Sequence, residues 1–139
     1  MILLDTNVLS ELAKPKPDAA VLRWAAKVPV DRLCTTAITE AELRFGLALM
    51  SPGKRHAGLA AAIESLFQRV VRGRVLPFDR SAAQAYAIFA AARRQAGRPV
   101  NIADLQIAAI ARARNVESLV TRNTSDFEGC GVPLIDPWQ

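Results

Sequence analysis

The run Ile2-Leu3-Leu4-Asp5-Thr6-Asn7-Val8-Leu9-Ser10-Glu11-Leu12 opens the chain and reads as a short apolar strand that turns into a helix through an acidic residue. Three consecutive aliphatic side chains with no polar residue among them suit a strand covered on both faces, as the strands of parallel sheets are. The pattern recurs outward from this start. Leu33-Cys34-Thr35, Val75-Leu76, Ser118-Leu119-Val120 and Val132-Pro133-Leu134-Ile135 are further short apolar runs. Helical periodicity fills the intervals over Asn7–Ala13, Ala19–Lys27, Thr39–Leu49, Lys54–Val71, Ser81–Ala96 and Ile102–Arg114. Strand alternating with helix in this order predicts an α/β chain, a three-layer α/β/α sandwich around a mostly parallel, five-stranded sheet. Asp18 and Asp79 are placed to cap helix starts, and Pro52-Gly53 separates two helices.

A chain of 139 residues with 51% hydrophobic and 22% charged residues can bury a core of its own. That excludes intrinsic disorder and predicts one domain over residues 1–139. No apolar run approaches the roughly 20 residues of a membrane span. The first apolar residues meet Asp5 with no basic leader, so a cytoplasmic protein free of the membrane is expected. Cys34 and Cys130 lack metal-ligand spacing and are expected as buried or incidental free thiols. The net charge of +5 comes mostly from arginine, whose forked guanidinium suits phosphate or carboxylate, so a polyanion or an acidic protein is the expected kind of partner.

Ligands of open parallel sheets bind beyond the carboxyl ends of the strands, so acids placed there carry the functional reading. Asp5 follows the first strand directly. Asp126 lies in the turn Thr121-Arg122-Asn123-Thr124-Ser125-Asp126-Phe127 after a later strand, and Asp104 opens a helix that is apolar nearly all round. On the Thr39–Leu49 helix, Ile38, Ala41, Phe45, Ala48 and Leu49 form an apolar stripe. Glu42 lies beside that stripe at about 100° per residue, with Gly46 leaving space one turn on, while Glu40 points well away. Leu43 and Leu47 occupy a second face, a candidate docking surface. Four carboxylates brought together with no His or Cys beside them require raised pKa values or a hard cation, and Mg²⁺ or Mn²⁺ is the expected ion.

Four segments in order, ILLDTNVLSEL, TEAELRFG, DLQIAAIA and LVTRNTSDFEGCGVPLIDPW, make the chain resemble the PIN-domain nucleases over essentially its whole length, in particular the VapC toxins and their FitB-like branch. The resemblance implies that Asp5, Glu42 and Asp104 bind metal. Many members carry Asp where Asn123 stands here, so Asp126 is implied as the fourth acidic ligand, with Thr121 and Asn123 holding water on the ion and Thr6 supporting the site. It further implies a central first strand flanked by the second and fourth. The implied activity is Mg²⁺- or Mn²⁺-dependent endonucleolytic cleavage of RNA, leaving 5′-phosphate and 3′-hydroxyl ends. The implied partners are a VapB-like antitoxin and a second copy of the chain.

Arg93, Arg94 and Arg98 precede the Asp104 helix and are candidate RNA-backbone contacts. His56 is the only histidine and stands outside every acidic motif, which disfavours a metal-free, histidine-based reaction. Asn7 occupies the position where an Asp-x-Asp phosphatase has its second acid. The non-enzymatic alternative is a PIN-like module that binds protein or nucleic acid without cutting it.

Overall fold

The computed structural model describes residues 1–139. The order of elements is β1 (Ile2–Leu4), α1 (Thr6–Leu12), α2 (Ala19–Ala26), β2 (Leu33–Thr36), α3 (Ala37–Leu49), α4 (Lys54–Ser65), β3 (Val75–Leu76), α5 (Arg80–Gln95), α6 (Ile102–Ala113), β4 (Ser118–Val120) and β5 (Leu134–Ile135). All strand pairs are parallel and the sheet runs β3-β2-β1-β4-β5. The central first strand and the α/β/α layering match the expectation.

Alternation along each strand places the layers. Leu3, Cys34 and Leu119 pack with Ile107 and Ile110 of α6 on one face. Ile2, Leu4, Leu33 and Val120 pack with Val8 and Leu9 of α1 and Ile63 of α4 on the other. Helix α6 is buried nearly all round, as its composition requires, with Ile107 through Ala111 almost wholly inaccessible. Asp18 and Asp79 cap α2 and α5 by accepting from Ala20 and Ala82 N–H at 2.8 and 3.0 Å. Buried Glu11 accepts from Lys14 Nζ at 2.9 Å and Asp18 N–H at 3.0 Å, tying down the Lys14–Pro17 loop.

The chain lays β2 and β3 on one side of β1, then returns to lay β4 and β5 on the other. The winding therefore reverses between β1 and β4, and a crevice opens above the paired Leu4 and Val120. That reversal brings Asp5 and Thr121 together.

Several boundaries differ from the periodicity. Helix α3 starts at Ala37 because the Thr36 hydroxyl accepts from Thr39 N–H at 3.0 Å and caps it there. The 54–71 helix is α-helical to Ser65 and then widens into a π turn over Leu66–Val70. The last strand shortens to Leu134–Ile135. Helix α3 is also rotated relative to the expected stripe: Phe45 and Leu49 are 65% and 71% exposed, and the helix buries Thr39 and Leu43 instead. Both faces of α3 are apolar; the buried one sets Leu43 into the core and the Thr39 hydroxyl 3.0 Å from the Thr6 hydroxyl. Leu43 consequently belongs to the core and is not a free docking surface.

Candidate active site

Asp5 is the N-cap of α1, placed at the crevice by the hydrogen bond from its own N–H to the Val120 carbonyl, 3.0 Å. One carboxylate oxygen accepts from Thr6 N–H and the other from the Thr121 hydroxyl, each at 2.8 Å. The cap is made, and it leaves the carboxylate at the strand end where the functional reading needs it. Burial pushes its pKa up to about 6; the Thr121 and Thr6 hydrogen bonds oppose the rise, and the charges of Asp104 and Glu42 add to it.

Thr121 is the hub of the β4 end. Besides donating to Asp5, its buried oxygen accepts from Asn123 N–H at 3.1 Å and stands 3.4 Å from Asn7 Nδ2. Asn123 thus joins through its backbone, and its side chain is exposed. Asn7 also accepts from Arg122 N–H at 3.3 Å, which fixes the chain as it leaves β4. Asn7 and Thr39 were not among the site residues expected from the sequence; the signal available was polar residues on helix faces that otherwise turn inward.

Glu42 reaches the site from α3 through a 2.7 Å hydrogen bond donated by the Thr6 hydroxyl. Glu40 turns elsewhere and pairs with Arg44 at 2.8 Å, which also holds Glu64. Asp104 sits in the first turn of α6, where the Asn101 side chain caps the helix by accepting from Asp104 N–H at 3.0 Å. Burial raises the Asp104 pKa, and the charges of Asp126 and Glu42 raise it further against the pull of Arg93. Asp126 is exposed in a 3₁₀ turn, Thr124–Phe127, anchored by the buried Phe127 ring. It shares with Asp104 and Asn101 a cavity of about 240 Å³.

Arg93 and Arg98 grip this turn. Arg93 Nη2 donates to the carbonyls of Asp126 and Glu128 at 2.5 and 3.3 Å, and Arg98 Nη2 donates to the Ser125 carbonyl at 3.1 Å. Arg94 is exposed.

Asp5, Glu42, Asp104 and Asp126 form no ion pair in a chain whose other acids repeatedly do. No three acids stand close enough to cage an ion by themselves; Asp104 and Asp126 line one cavity, Glu42 lines another, and the charges of Asp104 and Glu42 act on buried Asp5 between them. Such a donor set fits Mg²⁺ or Mn²⁺, because Mg²⁺ keeps several waters and takes only one or two carboxylates at a time alongside substrate phosphate oxygens. His56 lies in the first turn of α4 and lines none of the cavities on which Glu42, Asp104 or Asp126 open.

The two glutamates of α3 give a direct test. Glu42→Gln is expected to lower RNA cleavage at least about tenfold, roughly 1.4 kcal/mol of transition-state stabilisation, with Glu40→Gln near wild type. Steady-state kinetics at saturating metal and matched folding decide it. The reverse order would remove Glu42 from the site.

The PIN domain family model matches residues 2–129. The chain is 45% identical to the VapC ribonuclease Y4jK of Sinorhizobium fredii over 139 residues, covering 100% of this chain and 99% of that protein. It is 37% identical to the toxin FitB of Neisseria gonorrhoeae over 138 residues, 99% of each. A crystal structure of FitAcB from the same species superposes with a TM-score of 0.89 at 37% identity, over 100% of this chain and 99% of that one. VapBC-5 of Mycobacterium tuberculosis, a member of the VapBC family of toxin–antitoxin systems, superposes with a TM-score of 0.71 at 29% identity, over 96% and 95% of the two chains.

Proposed function

The chain belongs to the PIN-domain family, and from that premise we propose that it is a metal-dependent endoribonuclease, the toxin of a type II toxin–antitoxin pair, acting in the cytoplasm as one domain of residues 1–139. It hydrolyses phosphodiester bonds in RNA and leaves 5′-phosphate and 3′-hydroxyl ends. The observation that carries this reading is that Asp5, Glu42, Asp104 and Asp126 lie close enough beyond the ends of β1 and β4 for their charges to act on one another, with none of the four in an ion pair.

Those four carboxylates would hold Mg²⁺ or Mn²⁺. The chemistry supplied when the ion is bound is neutralisation of the acids, polarisation of the scissile phosphate and acidification of water. The chain's own residues set the geometry. Thr121 and Thr6 N–H fix both oxygens of Asp5. The Thr6 hydroxyl holds Glu42, and the Asn101 cap fixes the first turn of α6 from which Asp104 projects. Asn123 flanks the same strand end, where its exposed side chain orders water; the implied water contact of Thr121 does not fit, because its buried hydroxyl is already taken up by Asp5, Asn123 N–H and Asn7. Arg93, Arg94 and Arg98 attract the RNA backbone, since a guanidinium has five N–H donors and the carbonyl contacts of Arg93 and Arg98 leave some for phosphate.

The antitoxin is read from a groove between α1, α3 and α4. A cavity of about 420 Å³, lined by Thr6, Glu42, Leu47 and Leu59, meets a second of about 620 Å³ whose rim carries Lys14, Lys54 and Arg55. Apolar walls that end in cations suit a partner tail with apolar residues followed by acids. The exposed Phe45 and Leu49, one turn apart on α3, suit a second copy of the chain.

Expression alone is expected to arrest growth with new 5′-phosphate ends in cellular RNA. Co-expression with the adjacent open reading frame is expected to restore growth and to give a complex that co-purifies. Failure of both rescue and co-purification, with the neighbour expressed and folded, removes the toxin–antitoxin assignment.

A further inference from the structure

Beside the acids lies a second cavity that the proposed chemistry does not use. It measures about 180 Å³ and opens between α5, the start of α6 and the turn after Asp126. Its floor is Leu105, Ala108 and the Phe127 ring, all buried, and its wall on α5 is Phe89, Ala92 and Ala96. Two of the chain's five phenylalanines therefore converge on one slot. The lip is kept low by small residues: Ala92 and Ala96 are exposed, and Gly129 takes a φ of +83° that lets the turn fold back.

The slot is continuous with the cavity of the catalytic acids. Asp126, Leu105, Arg93 and Arg98 line both, so whatever holds a phosphate at Asp104 and Asp126 places the next chemical group of the strand at the mouth of an apolar recess. In a single-stranded RNA that group is a ribose with its base. Unstacked bases are read by insertion against aromatic and apolar side chains, and the guanidinium groups at the mouth complement the phosphates on either side.

We propose that this slot binds the nucleobase of a nucleotide adjacent to the scissile phosphate, making Ala92, Ala96 and Phe127 determinants of where RNA is cut. The inference rests on the nuclease reading above.

Its test fills the slot from the rim. Ala92→Leu and Ala96→Leu add bulk at exposed positions of α5 and its cap, and leucine is nearly as good a helix former as alanine. Cleavage of a short oligoribonucleotide in Mg²⁺ is measured for each protein with the natural base, and with an abasic ribose, at each position flanking the cut. Either variant is expected to raise KM at least about fivefold and to weaken the base preference at one flanking position. Melting temperature and Mn²⁺ affinity are expected to stay at wild-type values. The abasic substrate should cost wild type the same factor at that position and cost the filled variants almost nothing, because both changes remove one contact. Additive effects, or unchanged KM and base preference in both variants, overturn the slot while leaving the nuclease intact. Unchanged RNA kinetics with weakened antitoxin binding make it a protein-docking site instead and also overturn it. Wild type that cuts no RNA, by contrast, removes the nuclease reading itself.

Discussion

Asp5→Asn and Asp104→Asn are each expected to lower RNA cleavage at least about a hundredfold while the sheet and helices stay folded. Removing groups that merely support a metal ligand typically costs 10- to 100-fold, and these two substitutions remove the charge of the proposed ligands themselves at nearly constant volume. Asp5→Asn carries a second, opposite readout in the metal-free protein. The Asp5 carboxyl is buried beside Asp104 and Glu42, and its pKa is raised from 3.8 to about 6. Between those values the native state binds more protons than the unfolded chain, so the contribution of Asp5 to stability is full below about pH 4 and falls as pH rises through 6. The loss amounts to about 3 kcal/mol at neutral pH. Asparagine escapes it but must re-pair the Thr121 hydroxyl at about 1 kcal/mol. Asp5→Asn should then be more stable than wild type at pH 7.5 by on the order of 2 kcal/mol, and no more stable at pH 4. Denaturant unfolding in chelator at both pH values checks this. A folded Asp5→Asn protein with wild-type cleavage, or one less stable at both pH values, contradicts the placement of Asp5 in a charged metal site.

Excess chelator is expected to stop cleavage altogether, and Mg²⁺ or Mn²⁺ to restore it. The chain offers no substitute for a metal-activated nucleophile. Its only histidine sits on α4, away from the acids. Its two thiols are buried, with burial pushing Cys34 up to about 11 and raising Cys130 as well. The site acids that titrate upward, Asp5 and Asp104, do so by burial and mutual repulsion, which a divalent cation relieves. Undiminished cleavage by pure protein in chelator overturns the metal mechanism and leaves the geometry without a catalyst.

Much of this candidate site was legible in the sequence. Asp5 could be placed because an apolar run that stops at an acid marks the carboxyl end of a buried strand. Asp104 could be placed because a helix apolar on every side must be buried, so a carboxylate in its first turn stands where burial is costly. The separation of Glu42 from Glu40 was also legible, since residues two positions apart on a helix differ by about 200° in direction. The face chosen for α3 was not. Phe45 and Leu49 on one side compete with Leu43 and Leu47 on the other, and hydropathy cannot rank two apolar stripes. Tertiary contacts decide between them: Leu43 and Leu47 pack into the core while Thr39 and Glu42 meet the Thr6 hydroxyl, and these contacts join residues more than thirty positions apart.

Local chemistry was enough for the alternation of strand and helix, the caps at Asp18 and Asp79, and the acids at the ends of β1 and β4, because each depends on neighbours within a few residues. The meeting of those acids depends on the order β3-β2-β1-β4-β5, which sets Asp5 against Thr121 across 116 positions. The roles of Arg93 and Arg98 as grips on the Asp126 turn, and the slot beside it, arise in the same way. A guanidinium finds its carbonyl, and a recess finds its walls, only when segments distant in the chain are packed together, and no periodicity along the chain records that packing.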